Sequence, residues 1–347
     1  MSKTWPAARP FLRRPAPVVA GAGTADFGAP PLRIASGEPE PVRSRPLGGS
    51  GMNIFPIALG TSNFGWTAGI READGVLGHF LAGGGTLIDT ADSYAAGRSE
   101  HMIGSWLRGA RRRDEVFLST KVGRHPDYPG LGSVSLVRAV EDSLQRLQTD
   151  RIDLLTFHVD DRDVPFEDAL GTASWLIESG KVRALGVSGY AAERLVEARI
   201  LAAAGYPRVD VLHTHYSLMT RRTFEGDAQM VATGQRLGVL PYFALESGFL
   251  SGSFRERTPG ATPSRERRAR THVNRRGLRV LAAIDRFALA HAVEPATVAL
   301  AWLLSRRGIT APVVSCHGAE HVDSVLAAAE LRLAPDELAA LDRASER

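Results

Sequence analysis

The chain has 347 residues, 44% hydrophobic and 23% charged, which is the composition of a globular chain long enough for one large α/β barrel or two smaller domains. Its 42 Lys and Arg stand against 38 acids, a net charge of +4 with no interleaved basic and aromatic stripe, so nucleic acid is not an expected partner. A single cysteine, Cys316, excludes an internal disulfide and a thiolate-rich metal site and fits a reducing cytoplasm, while no apolar run approaches the roughly 18 residues of a membrane span.

Residues 1–44 are rich in Pro and Arg and lack hydrophobic periodicity, so they are expected to stay disordered. Arg13 and Arg14 precede the apolar “PAPVVAGAG”, but that stretch is short and broken by prolines, which makes an export signal the lesser reading beside a bland tail. From Arg45 to the end, the chain alternates short aliphatic runs with amphipathic stretches of helical length. The runs are “FPIALG”, “TLIDT”, “VFLSTKV”, “IDLLTFH”, “VRALGVS”, “VDVLHTH”, “VLPYFAL” and “APVVSCH”. Eight such runs separated by helical patterns predict a (β/α)8 TIM barrel over residues 45–347.

Helical spacing follows Ser99, spans 134–147, and covers 166–179 and 191–204, where Gly180 and Gly205 supply the stops. Pro295 suits a first helical position and Gly308 an end. Further helices at 279–291 and 335–344 exceed the needs of a bare barrel and are expected to close its outside.

A barrel of this type carries its site at the C-terminal ends of the strands. Those ends read Asp89, Lys121, His158, Ser188, His213 with His215, Glu246, and Cys316 with His317, although the strand bodies are apolar. Asp89, Tyr94, Lys121 and His158 form a coherent set. A phenol near pKa 10 is a poor acid at neutrality, a neighbouring ammonium favours its ionised form, and Asp89 offsets the cost of burying Lys121. His158 is placed to hydrogen-bond a carbonyl. The set describes a general acid aimed at a carbonyl oxygen, and it requires electrons from a molecule bound beside it. Asp92 reads as a loop carboxylate accepting backbone N–H bonds, and Ser99 with Glu100 as a helix start. Trp66, Phe64 and Tyr128 are candidate walls for the substrate.

“FPIALGTSNFG”, “LIDTADSYAAGRSEHMIGSWL”, “VFLSTKVG”, “SLQRLQTDRIDLLTFHVDD”, “ESGKVRALGVSGY” and “GFLSG” resemble, in order and spacing, the signature segments of the aldo-keto reductases. The resemblance implies a (β/α)8 barrel that binds NADPH, less often NADH, and a catalytic tetrad at Asp89, Tyr94, Lys121 and His158. It implies hydride transfer from nicotinamide to the carbonyl of a small-molecule aldehyde or ketone, Tyr94 protonating the oxygen. Cofactor contacts are expected at Gly60, Thr61, Asp89, Ser188, Gly189, His213, Tyr216, Leu245, Gly248, Ser315, His317, His321 and Ser324, and substrate contacts at Trp66, Tyr94 and His158.

Several cofactor positions depart from the family pattern. Gly189 stands at a usual Asn, His213 at a usual Gln, and Tyr216 where a stacking aromatic is expected; Phe243 and Ala244 replace Ser-Pro, and Ser253 replaces Lys. Each lost hydrogen bond removes on the order of 1 kcal/mol. These departures motivate an alternative, a nucleotide-sensing or partner-binding barrel. A second alternative, a metal-dependent hydrolase built on His158, His213, His215 and Glu246, leaves Tyr94 and Lys121 without a role. Between Phe254 and Gly277 lies an arginine-rich, Pro-bearing loop that reads as a solvated surface segment or as a flap lending an arginine to cofactor phosphates.

Overall fold

The computed structural model describes residues 44–253 and 263–346. The expected N-terminal extension, Arg13 and Arg14 included, lies outside the described residues except for Ser44, as does the first part of the arginine-rich loop.

Eight parallel strands make one sheet, in chain order β1 (Ala58–Gly60), β2 (Leu87–Asp89), β3 (Phe117–Val122), β4 (Ile152–Phe157), β5 (Val182–Ser188), β6 (Val209–His215), β7 (Gly238–Tyr242) and β8 (Val313–Val314). From β1 to β7 each pairs with its neighbours in sequence, and β8 returns to pair with β1. The last seam is held by the Thr310 N–H donating to the Val239 carbonyl at 2.9 Å. The expected barrel is therefore present.

Helices follow the strands as α1 (Ile70–Ala82), α2 (Arg98–Ala110), α3 (Ser133–Leu147), α4 (Phe166–Glu178), α5 (Ala192–Ala203) and α6 (Asp227–Gly234). After β7 come α7 (Pro263–Arg270), α8 (Arg275–His291) and α9 (Pro295–Leu304), and after β8 come α10 (Val322–Leu326) and α11 (Pro335–Ser345). In α3 the buried Leu136, Ala139, Val140, Ser143, Leu144 and Leu147 recur at three- and four-residue intervals, the stripe that faces the sheet. Helix α9 has no polar stripe because every residue from Ala296 to Leu304 is buried, with α8 and α10 packed against it. Helices α8 and α11 pack on each other and are the extra outer pair expected from the sequence.

Helix ends differ in detail from the sequence reading. Helix α8 starts earlier, at Arg275, because the Asn274 side chain accepts the Gly277 N–H at 3.0 Å and caps it. Helix α9 ends at Leu304, and Gly308 serves the following turn with φ of 88°.

The N-terminal end of the barrel is plugged by an antiparallel hairpin, Arg45–Pro46 against Asn53–Ile54. Its Leu47, Met52 and Ile54 form a core with Ala58, Leu87, Leu154, Ala184, Val211 and Leu240 from six strands. Gly48 is required there, since a Cβ would meet the Asp210 carbonyl oxygen at 2.1 Å. With that end sealed, the barrel is open to a ligand at its C-terminal end. No single described helix is long and apolar enough to cross a membrane.

Candidate active site

Asp89 ends β2 fully enclosed, and five residues later Tyr94 stands at the barrel mouth. The connection is tight. The Asp92 N–H donates to the Lys121 carbonyl at 2.9 Å and the Tyr94 N–H to the Ala91 carbonyl at 3.1 Å. Ala95, Ala96 and Gly97 then adopt left-handed φ of 51°, 54° and 84°, which swings the chain into α2. Two non-glycine residues in that region hold strain that only a well-packed neighbourhood sustains. Part of that neighbourhood is polar and buried: the Ser99 hydroxyl donates to the Thr61 carbonyl at 3.0 Å, and Glu100 accepts from Thr120 Oγ1 at 2.6 Å and Arg146 Nε at 2.7 Å. Ser99 and Glu100 thus tie α2 to the barrel; Gly97, not Ser99, precedes the helix.

Lys121, at the end of β3, is 3% exposed. Its ammonium is bonded to Asp89 Oδ2 and donates to the Thr90 carbonyl at 3.0 Å, while Asp89 Oδ1 accepts from Ser119 Oγ at 2.7 Å. Burial pulls the Lys121 pKa down, but Asp89 and Tyr94 outweigh it and the net shift is upward, so the lysine is charged. The same ammonium lies 5.3 Å from the Tyr94 ring centroid. For Tyr94, burial pushes the phenol up and the Asp89 charge adds to it; Lys121 pulls down without winning. The free protein therefore holds a protonated phenol, where the sequence alone suggested a lowered one.

His158 follows β4, its ring edge-on to Tyr94 with centroids 6.0 Å apart. Burial, with Lys121 and Arg124 adding their charges, depresses its pKa to about 2. The imidazole is neutral at every physiological pH, and its Nδ1 is buried without a protein partner.

Asp92 is not the hydrogen-bonded loop carboxylate expected. Both oxygens are buried without a partner of normal geometry, the nearby Gly123 and Ser93 N–H groups giving only weak help. Burial and the Glu100 charge raise its pKa to about 7. A raised carboxylate binds its proton in the folded state, so stability falls as pH rises from about 4 to about 7. Asp92→Asn is expected to stabilise the fold at pH 8 by on the order of 2–3 kcal/mol and to flatten that dependence, read by urea unfolding at pH 5 and pH 8.

These groups open into a cavity of about 1020 Å³, at the upper end of the roughly 300–1,000 Å³ of small-molecule sites. The side around Tyr94 holds His158, Ser188, Gly189 and Tyr242; the far side, after β7 and β8, holds Arg265, Arg268, His317, His321 and Ser324. Gly60, Thr61, Asp89, Lys121, Leu245, Gly248 and Ser315 also line it, as does Trp66. Two expected contacts do not. His213 is fully buried beneath the mouth, 3.4 Å from Thr156 Oγ1 and 3.9 Å from Asp89 Oδ1, and Tyr216 faces outward, donating to Glu225 Oε1 at 2.8 Å and packing on Phe224 and Trp302. Strand β6 continues to His215, which leaves His213 one layer below the surface. Tyr242, at the end of β7, is an aromatic that lines the cavity where Tyr216 does not, and the sequence reading missed it. Phe64 is core and Tyr128 stacks on His125 away from the cavity.

The far side is built around Glu246. Its carboxylate accepts from Ser217 Oγ at 2.5 Å and Thr220 Oγ1 at 2.7 Å, and pairs with His215 Nε2 at 2.9 Å and His272 Nε2 at 3.1 Å. This hub joins the end of β6 to the turn after α7, and Arg265 Nε donates to the Ser247 carbonyl at 3.0 Å. Arg268 lies 4.2 Å over the Phe243 ring. The arginine helix is thereby fixed against the cavity. The His215–Glu246 pairing is a hydrogen-bonded anchor, and among the described residues no cluster of His, Cys, Asp and Glu is arranged to hold a metal.

The model of the aldo/keto reductase family matches residues 56–346. This chain belongs to the aldo/keto reductase family. Norsolorinic acid reductase of Aspergillus flavus is 30% identical over 313 residues, 85% of this chain and 79% of that protein. The NADP(+) aldo-keto reductase yakc of Schizosaccharomyces pombe is 28% identical over 270 residues, 74% of this chain and 78% of its own length. An aryl-alcohol dehydrogenase of Pestalotiopsis microspora is 27% identical over 308 residues, covering 84% and 79%. The aldo/keto reductase scaffold accounts for the barrel, and the relatives are oxidoreductases by name.

Proposed function

We propose that this protein reduces an aldehyde or ketone to an alcohol with electrons from NADPH, Tyr94 acting as general acid. The observation that carries the reading is the polarity of one cavity, with an acid–ammonium–imidazole group at one side and paired arginines at the other. A nicotinamide dinucleotide has the same polarity, an uncharged ring at one end and phosphates at the other. Ser188, whose hydroxyl has no hydrogen bond among the described residues, and Tyr242 suit the ring; Arg265 and Arg268 suit the phosphates. Burial and Arg265 depress the His317 pKa to about 4, so the arginines carry the positive charge there at neutral pH. The chemistry supplied by the bound cofactor is hydride for the carbonyl carbon.

The chain's residues do the rest. Neutral His158 donates a hydrogen bond that orients the substrate oxygen, and Tyr94 gives it a proton as negative charge develops. Lys121, held by Asp89, stabilises the phenolate left behind. Aromatic carbonyl compounds are the substrate class favoured by Trp66 on the wall and by the aryl-alcohol relative. With one buried thiol and no disulfide required, the cytoplasm is the proposed compartment.

The cofactor assignment is tested by fluorescence titration with NADPH and NADH. Wild type is expected to favour NADPH, and removing both arginines (Arg265→Ala with Arg268→Ala) to weaken NADPH by about tenfold or more. Equal affinity for both cofactors in wild type and variant would remove the arginines from the phosphate site.

A further inference from the structure

Among the described residues Arg124 is the one arginine on the catalytic side of the cavity, and nothing in the reaction just described uses it. It follows Gly123, whose φ of 107° disfavours any side chain and whose added Cβ would meet Leu131 Cδ2 at 3.0 Å and Val159 Cγ1 at 3.2 Å. That kink ends β3 and leads into a short antiparallel ladder, Arg124 opposite Pro129 and His125 opposite Tyr128. The rings of His125 and Tyr128 stack with centroids 5.8 Å apart. The backbone that carries Arg124 is thus set before any ligand arrives.

The side chain itself is exposed, lines the cavity that holds Tyr94 and His158, and makes no hydrogen bond or ion pair among the described residues. Its charged neighbours on that wall are engaged. Lys121 is bonded to Asp89, and Asp160 pairs with Arg194 at 2.9 Å and Arg162 at 2.5 Å. Trp66, 66% exposed, offers a flat apolar face in the same cavity. A preset, unclaimed guanidinium beside a carbonyl-directed acid and an open indole is a recognition element for a planar anion.

We propose that the substrate is an aromatic carbonyl compound carrying an anionic group, which pairs with Arg124 while its ring lies against Trp66. This rests on the reductase reading of the same site. Because Arg124 is exposed, the pairing is partly screened and weakens with added salt.

The test compares 4-carboxybenzaldehyde with its uncharged methyl ester. Wild type is expected to favour the carboxylate in kcat/KM by about tenfold or more at low salt. Arg124→Gln brings the ratio towards one, Arg124→Lys restores part of it, and high salt narrows it in wild type. Equal values for the two aldehydes in wild type, or a preference that survives in Arg124→Gln, overturns the proposal. If neither aldehyde is turned over, the reductase reading fails separately. Calorimetric binding of the same pair to the protein with NADP(+) then decides the anion site: an Arg124-dependent preference supports it, and none overturns it.

Discussion

Tyr94→Phe is expected to lower kcat/KM for carbonyl reduction by about 10²- to 10⁴-fold while moving the NADPH dissociation constant by less than about threefold. The change removes one hydroxyl and keeps the ring edge-on to His158, at a centroid separation of 6.0 Å in the parent. No other group replaces the proton. His158, depressed to about 2, is already neutral, and Lys121, raised and locked to Asp89, holds its own. The Tyr94 phenol, raised by burial against the pull of Lys121, stays protonated across the neutral range. Wild-type kcat/KM is therefore expected to lack an ionisation from His158 between about pH 6 and 8, where an ordinary imidazole near 6.5 titrates. Activity within a few fold of wild type in Tyr94→Phe would sink its role as the acid.

Asp89→Asn is expected to destabilise the fold by about 3–5 kcal/mol at pH 7, a large share of the roughly 5–15 kcal/mol that holds a domain together. The amide keeps an acceptor for Ser119 Oγ but removes the charge that makes burial of Lys121 tolerable. In wild type the Lys121 pKa is raised, so its contribution is present below about pH 10 and lost as pH climbs through the folded value. In the variant only Tyr94 and the Thr90 carbonyl stand against desolvation, the folded pKa drops below the unfolded one, and the unfolded chain binds the extra proton. Stability of the variant then rises with pH, and its deficit shrinks towards pH 10. Urea unfolding at pH 7 and pH 9.5 measures both the deficit and its sign. A variant as stable as wild type at pH 7 would mean that Lys121 is solvated or neutral.

The quartet of Asp89, Tyr94, Lys121 and His158 was legible because short apolar runs end in reactive side chains, and a barrel gathers such ends at one mouth. What sequence does not display is how deep each strand end lies. His213 and Tyr216 read as cofactor contacts, yet β6 runs on to His215, so one sinks beneath the mouth and the other turns outward to Trp302. Tyr242 carried a signal that was available, an aromatic closing the next strand run. Arg265 and Arg268 were legible only in part: the basic stretch after β7 reads either as solvated surface or as a flap lending an arginine to cofactor phosphates, and the Glu246–His272 pairing shows where α7 is fastened. Asp92 misled because a loop aspartate ordinarily finds well-aimed backbone N–H groups, and here the nearby Gly123 and Ser93 N–H groups do not reach its buried oxygens with normal hydrogen-bond geometry.

The central claim is that one cavity brings a reduced nicotinamide and a carbonyl together at Tyr94. It is tested most directly by loading the purified protein with NADPH, adding 4-carboxybenzaldehyde, and following absorbance at the nicotinamide band with alcohol measured in the same sample. Loss of the band matched mole for mole by alcohol in wild type, and a stable band in Tyr94→Phe, is the predicted result. A band that persists in wild type with every aldehyde and ketone offered, although NADPH is bound, would contradict it.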